Sequence, residues 1–257
     1  VGFNLSDYQS EVTKFDNESK ELGNWYVGQK QGEIWGYETY GLFQSEQEIA
    51  GAANQDKVSG GIKLMPGDIR FVDRNNDGVI DWGDNTVDNP GDKKIIGNST
   101  PRYHYGINLG ADWKGFDLGI FFQGVGKRDL YLPGTSFRSH YGSEWQVPSA
   151  YNNDYWTEEN TGAYFPRARF NGGSAINQAQ TRYMVDASYC RLKSVSIGYT
   201  LPKVLTQKAS IEKIRIYFTG ENLFTISDTP DGLDPELDNP YTYPMQRSLS
   251  VGLSLTF

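Results

Sequence analysis

Ser248-Leu249-Ser250-Val251-Gly252-Leu253-Ser254-Leu255-Thr256-Phe257 is the stretch that decides the fold. Leu249, Val251, Leu253, Leu255 and Phe257 are apolar, and small or polar residues stand between them. An apolar residue at every second position gives a β-strand with one greasy face and one polar face. Two architectures use such a strand. One is a soluble β-sandwich, which buries the greasy face against a second sheet. The other is the wall of a membrane β-barrel, with lipid on one face and water on the other. The rest of the chain must choose between them.

The alternation recurs upstream. Ile214, Ile216 and Phe218 alternate with Arg215, Tyr217 and Thr219, and Lys193, Val195, Ile197, Tyr199 and Leu201 with Ser194, Ser196, Gly198 and Thr200. Phe116, Leu118, Ile120 and Phe122 form a further set. The cleanest run sets Tyr103, Tyr105, Ile107, Leu109, Ala111 and Trp113 against His104, Gly106, Asn108, Gly110 and Asp112. Its length matches the ~9–11 residues of a tilted membrane-crossing strand. Its aromatics sit at the two ends and its aliphatics in the middle, the order expected of a lipid-facing surface with interfacial girdles. In a barrel, His104, Asn108 and Asp112 face the lumen, and Tyr105, Ile107 and Leu109 face lipid.

Connections sort by length. Lys114-Gly115 joins Trp113 to Phe116 as a tight hairpin, and the link from Pro202 to Ser210 is short and polar. Gly124 to Arg182 and Thr225 to Tyr243 are long links. Short turns at one end and long loops at the other is the outer-membrane pattern. Nearer the start, Val1 to Lys14 alternates poorly, and the Gly- and Tyr-rich Glu33–Phe43 reads as a strand. About seven strands result. Bacterial single-chain barrels are even-numbered, so the chain is expected to be part of a larger one.

Composition agrees without deciding. Apolar residues make up 37% of the chain, low for a soluble globular protein, while aromatics reach 14% and Gly numbers 29. That balance suits a wall one side chain thick, and also a glycan-binding sandwich. No apolar run approaches the ~18 residues of a membrane helix. A net charge of −8 argues against nucleic acid, which selects basic surfaces. Cys190, the single cysteine, has no disulfide partner, and His104 and His140 are the only histidines. The chain opens on Val1 with no Met or charged leader, as a processed or cut chain does.

Asp73-Arg-Asn75-Asn-Asp77-Gly78-Val79-Ile80-Asp81-Trp-Gly-Asp84 carries oxygen side chains at loop positions 1, 3, 5, 9 and 12, with Gly at position 6. This spacing wraps a hard cation. The carboxylates of Asp73, Asp77, Asp81 and Asp84, the Asn75 amide and the Val79 carbonyl are the expected ligands of a structural Ca²⁺. Asp84 is shorter than the usual bidentate Glu, and a plain Asp/Asn/Gly turn is the competing reading.

No catalytic residues are expected. Asp154, Glu158 and Glu159, or Asp231, Asp234 and Glu236, supply carboxylates, but nothing fixes the separation that a glycosidase needs. The long link is rich in aromatics: Tyr131, Phe137, Tyr141, Trp145, Tyr151, Tyr155, Trp156, Tyr164 and Phe165. Such residues either contact sugars or a protein partner, or staple the link to itself.

Several segments together resemble the SusC/RagA family of TonB-dependent outer-membrane transporters: GYETYGLF (36–43), PGDIRFVDRNNDGVIDWGD (66–84), YCRLKSVSIGYTLP (189–202) and GENLFTISDTPDGLDPE (220–236). The closing YPMQRSLSVGLSLTF is similar to the family's last strand, and its end on Phe257 resembles the sorting signal of outer-membrane barrels. Cys190 and Thr229-Pro230 depart from the family pattern. The resemblance implies an all-β, antiparallel transmembrane β-barrel of 22 strands, of which residues 1–257 are a C-terminal part. Residues 66–100 and 124–182 become extracellular loops. It implies import of oligosaccharides or oligopeptides across the outer membrane. A SusD-like surface lipoprotein acts as lid, and TonB engages an N-terminal part not in this sequence. The alternative is a stand-alone, calcium-stabilised glycan-binding or adhesin β-domain.

Overall fold

The computed structural model describes residues 1–131, 141–142, 154–170, 174–207, 210–237 and 242–257. The chain divides into two compact units. Unit 1 comprises Val1–Tyr8, Pro101–Arg128 and Asp186–Phe257, and unit 2 comprises Gln9–Thr100 and Asp129–Val185. The segments expected as two separate loops, 66–100 and 124–182, thus fold largely together, joined by residues 9–65. His140 and the aromatics Phe137, Trp145 and Tyr151 lie outside the described residues.

Unit 1 is a seven-stranded sheet. Its strands are β1 (Gly2–Ser6), β2 (Arg102–Trp113), β3 (Phe116–Lys127), β4 (Tyr189–Thr200), β5 (Lys213–Glu221), β6 (Thr225–Ser227) and β7 (Ser248–Thr256). The spatial order is β1-β2-β3-β4-β5-β7, with β6 beside β4, and every pairing is antiparallel. The sheet is open rather than closed into a barrel. The β2–β3 hairpin turns on Lys114 (φ 47) and Gly115 (φ 91), two positive-φ residues as a type I′ turn demands. The pairing of β3 with β4 shifts between Leu192 and Ser194, leaving Lys193 as a bulge.

Partners directly opposite in an antiparallel pair point to the same face. One face therefore collects Phe3 and Leu5, then Tyr105, Ile107, Leu109 and Trp113, then Phe116, Leu118, Ile120 and Phe122. Leu192, Val195, Ile197 and Tyr199 continue it, followed by Ile214, Ile216 and Phe218, and then Leu249, Val251, Leu253 and Leu255. This apolar surface runs across six strands and is largely uncovered: Trp113 is 67% exposed, Ile216 49% and Val251 79%. A soluble monomer rarely shows a continuous apolar patch of this extent.

The links leave the sheet in a sorted way. Residues 7–101, 128–188 and 222–247 all depart from and return to the end marked by Ser6, Arg102, Lys127 and Tyr189. The two-residue turn at 114–115 and the 201–212 link lie at the opposite end. We call these the link end and the turn end.

Among the described residues, the main buried hydrophobic cluster lies in unit 2. Tyr37, Leu42, Val58, Ile69, Phe71, Ile80, Trp156, Phe165, Ile176 and Tyr183 pack together. The Glu33–Phe43 stretch, expected as one strand beside the others, belongs here. It breaks into Glu33–Tyr37, paired with Lys93–Asn98, and Thr39–Leu42, paired with Ile69–Phe71. The seventh strand of the large sheet is instead β6, beside β4, which alternation did not reveal. A short helix, Glu46–Ala50, is capped by Ser45, whose side chain accepts from Glu48 N. Among the described residues no helix is long and apolar enough to cross a membrane, which says nothing of strands.

Candidate functional site

The face opposite the apolar one is mostly polar, with Phe121 and Val125 as apolar members opposite Asn108 and His104. His104, Asn108 and Asp112 lie on it, and Tyr105, Ile107 and Leu109 on the other, as the alternation requires. Arg215 grips Asp117 with two bonds, Nε to Oδ1 at 2.9 Å and Nη2 to Oδ2 at 2.5 Å. The pair spans β4 at Gly198, where any Cβ would meet both side chains. Arg215 also lies 4.8 Å from the Tyr217 ring centroid. Near the link end, the Tyr8 and His104 rings are parallel, with centroids 6.3 Å apart. Asp7 accepts from the Arg102 guanidinium beside them. Such a face offers hydrogen bonds and charges of both signs to a polar solute.

At the link end a charge cluster pins residues 228–237 to this face. Arg191, 3% exposed, donates from Nη2 to Asp234 Oδ1 at 2.5 Å, from Nη1 to Glu236 Oε2 at 2.6 Å and from Nε to Thr225 Oγ1 at 2.8 Å. Lys193 reaches Glu236 at 3.1 Å, and Arg128 Nη1 donates to Pro235 O at 3.0 Å. Asp234 does the most. Beyond Arg191, it accepts from Glu236 N and, through Oδ2, from Met245 N, so it ties both arms of the link to β4. Burial pushes Asp234 up, but Arg191 and the two backbone N–H groups outweigh it and hold the carboxyl below the ordinary Asp range.

In the 73–84 loop the side chains largely satisfy the loop's own backbone. Asp73 Oδ2 accepts from Gly78 N at 2.9 Å, Asn75 Oδ1 from Asp77 N at 3.1 Å and Asp77 Oδ1 from Val79 N at 2.8 Å. Val79 forms a bridge with Asn54. Asp81 Oδ2 pairs with Lys57 Nζ at 2.6 Å, and that ammonium holds the Asp81 carboxyl below the usual range. Asp84 Oδ2 accepts from Asn89 Nδ2 at 2.9 Å. Among the described residues, no three acidic, Cys or His side chains are grouped to hold a metal. Asp73 Oδ1 is nevertheless buried without a hydrogen-bond partner among the described residues.

The described aromatics of the long link mostly staple it. Trp156 and Phe165 are buried in the unit 2 core. Tyr164 meets Phe165 and Tyr183 edge-on, with centroids 4.9 and 5.5 Å away, and Tyr131 OH donates to Gln178 O at 2.7 Å. Tyr155 is exposed. Asp154 accepts from Asn160 Nδ2 and Tyr164 N and so closes a turn. Asp234 and Glu236 are engaged in the clasp rather than poised as an acid–base pair.

Sequence reading missed Arg191, Lys193, Lys57 and Asp92. Asp92 is fully buried and bridges the loop's neck, accepting from Arg74 N at 2.7 Å and Asp81 N at 2.9 Å. Arg191 carried a usable signal, a cation on the polar face of a strand matched by Asp-Pro-Glu at 234–236. Asp92 and Lys57 carried none.

No family model matches the chain. Curated relatives do. TonB-dependent receptor P3 of Formosa agariphila is 31% identical over 248 residues, covering 90% of this chain and 22% of that protein. TonB-dependent receptor P26 of the same organism is 27% identical over 248 residues, covering 90% and 23%. TonB-dependent receptor SusC of Bacteroides thetaiotaomicron is 29% identical over 194 residues, covering 73% and 17%. Among solved structures, that of the RagAB peptide transporter superposes with a TM-score of 0.69 at 21% identity, covering 99% of this chain and 27% of that one. The chain thus spans about a quarter or less of the length of these proteins.

Proposed function

Since the chain belongs to the SusC/RagA-type TonB-dependent receptors, we propose that it forms part of the wall of an outer-membrane import barrel. The carrying observation is the two-faced sheet: a continuous uncovered apolar face backed by a polar one, with the links sorted by end. In this reading lipid covers the apolar face and the polar face lines the lumen. The link end is extracellular and the turn end periplasmic. The chain is the C-terminal part of a 22-stranded barrel. The edges β1 and β7 pair with strands outside this sequence, because open edges do not survive in hydrocarbon. A SusD-like lipoprotein covers the extracellular side, TonB acts through a segment outside this sequence, and the cargo is an oligosaccharide or oligopeptide. A stand-alone adhesin or glycan-binding domain would need a second sheet over the apolar face. The test is uptake by cells expressing the full-length protein. Import is expected to stop when TonB is removed, with outer-membrane abundance unchanged. TonB-independent uptake would contradict the proposal.

We further propose that the 73–84 loop is a structural Ca²⁺ site. The support is its oxygen spacing and the orphan Asp73 Oδ1, since a buried acceptor without a donor costs about 1–3 kcal/mol. Asp73, Asn75, Asp77, the Val79 carbonyl, Asp81 and Asp84 would hold the ion, with Asp81 leaving Lys57 and Asp84 leaving Asn89. In the full-length protein, chelation is expected to speed proteolysis within residues 54–92, and added Ca²⁺ to reverse it. Asp77→Ala should abolish that reversal while leaving the sheet intact. Proteolysis indifferent to chelator and Ca²⁺ would remove the ion from the account.

A further inference from the structure

We propose that the turn end of the apolar face binds the headgroups of anionic phospholipids. The proposal rests on the barrel-wall reading and adds to it the chemistry of the lipid at one rim. Trp113, Phe116 and Tyr199 form a row across three neighbouring strands through the pairs Trp113–Phe116 and Phe116–Tyr199. The Phe116 and Tyr199 rings are 4.5 Å apart, and Trp113 and Phe116 are 67% and 51% exposed. Aromatic rims of this kind sit at headgroup level, where Trp and Tyr satisfy an apolar body and a polar edge together.

Cations stand just beyond the row. The Lys114 ammonium lies 5.0 Å from the Trp113 ring centroid, at the tip of the hairpin. Thr200 N donates to Gly115 O at 2.7 Å, which ties that tip to the start of the neighbouring link. The link runs through Pro202 into a one-turn helix, Lys203–Thr206. Its Val204 and Leu205 are 73% and 60% exposed, while Thr206 is buried. An exposed Val-Leu pair beside a lysine is a poor surface for water. It is a good one for the boundary between acyl chains and phosphates, where the aliphatics dip and the lysine stem extends to the headgroup. The acids of this end are turned away or offset. Asp112 and Asp117 are on the polar face, Asp117 is held by Arg215, and Glu212 is followed directly by Lys213. Lys114 and Lys203 are therefore offered to a negative headgroup next to an aromatic belt. Zwitterionic headgroups meet these cations with no net charge, so the site selects the anionic class.

The test uses the full-length protein in nanodiscs containing phosphatidylglycerol and phosphatidylethanolamine. Native mass spectrometry reads the lipids that stay bound after gentle detergent release. Phosphatidylglycerol is expected to be enriched over its bulk ratio. Lys114→Gln or Lys203→Gln alone should weaken that binding about fivefold, and the pair about thirtyfold. Absence of enrichment in the wild type, or enrichment unchanged in the double variant, overturns the proposal. Heat-modifiable migration is read on the same samples. A compact barrel without enrichment defeats only the lipid proposal, whereas a wild type with no compact form defeats the wall reading and this proposal together.

Discussion

Ile107→Arg in the full-length protein is expected to cost about 2–4 kcal/mol of folding stability in lipid, and Asn108→Arg far less. Ile107 lies opposite Phe122 on one side and Phe3 on the other, in the middle of the apolar face. In a wall, a guanidinium there meets hydrocarbon near the midplane. Asn108 is one residue away, on the face that carries His104 and the Asp117–Arg215 pair. There the same guanidinium meets water on the lumen side. Denaturant unfolding in lipid vesicles compares the two. Equal costs would mean that the faces do not differ in solvent, and a larger cost at position 108 would reverse the assignment.

The second large effect is expected at the clasp. Asp234→Ala leaves Arg191 buried with Glu236 as its remaining carboxylate. Removing one partner of a buried pair costs about 3–5 kcal/mol, and the surviving Glu236 places this case near the lower bound. The loss should be local. Residues 228–237 and 245 should gain hydrogen exchange while residues 102–127 keep their protection. The pH dependence has a definite sign. Asp234 is held below its unfolded value of about 3.9. Its contribution is therefore fully present above that pH and lost as pH falls through the lower folded value. The clasp should hold at neutral pH and release only in strong acid. Unchanged exchange in Asp234→Ala would show that the ion pairs do not retain the link.

The strands of the sheet were visible in sequence because period two is local: residues 103–113 carry their own evidence of two faces. The two-residue turn was visible for the same reason. Pairing partners were not. Glu33–Phe43 looks like a wall strand, but its partners at 69–71 and 93–98 lie 27 to 65 residues downstream and place it in another unit. β6 is only three residues long and follows Asn222 at φ 50, so no alternation announces it. Lys193 stands in phase with Val195 in the sequence, and the bulge removes it from that row. At the candidate sites, spacing marked the oxygens of the 73–84 loop but not the Lys57 and Asn89 side chains that engage two of them. The long link's aromatics showed the opposite failure. Trp156 and Phe165 have the composition of a binding surface and the burial of a core, which only packing distinguishes.

The barrel-wall assignment turns on which solvent meets each face of β2 and β3. The direct measurement is spin-label accessibility at residues 105–111 of the full-length protein in lipid, with Cys190 and every other cysteine of the full-length protein replaced so that labels attach singly. The account predicts a period of two. Labels at 105, 107, 109 and 111 should be reached by oxygen dissolved in the bilayer, and labels at 106, 108 and 110 by a water-soluble nickel chelate. Nickel access at every position, or access to neither reagent at the odd ones, would contradict a lipid-facing wall.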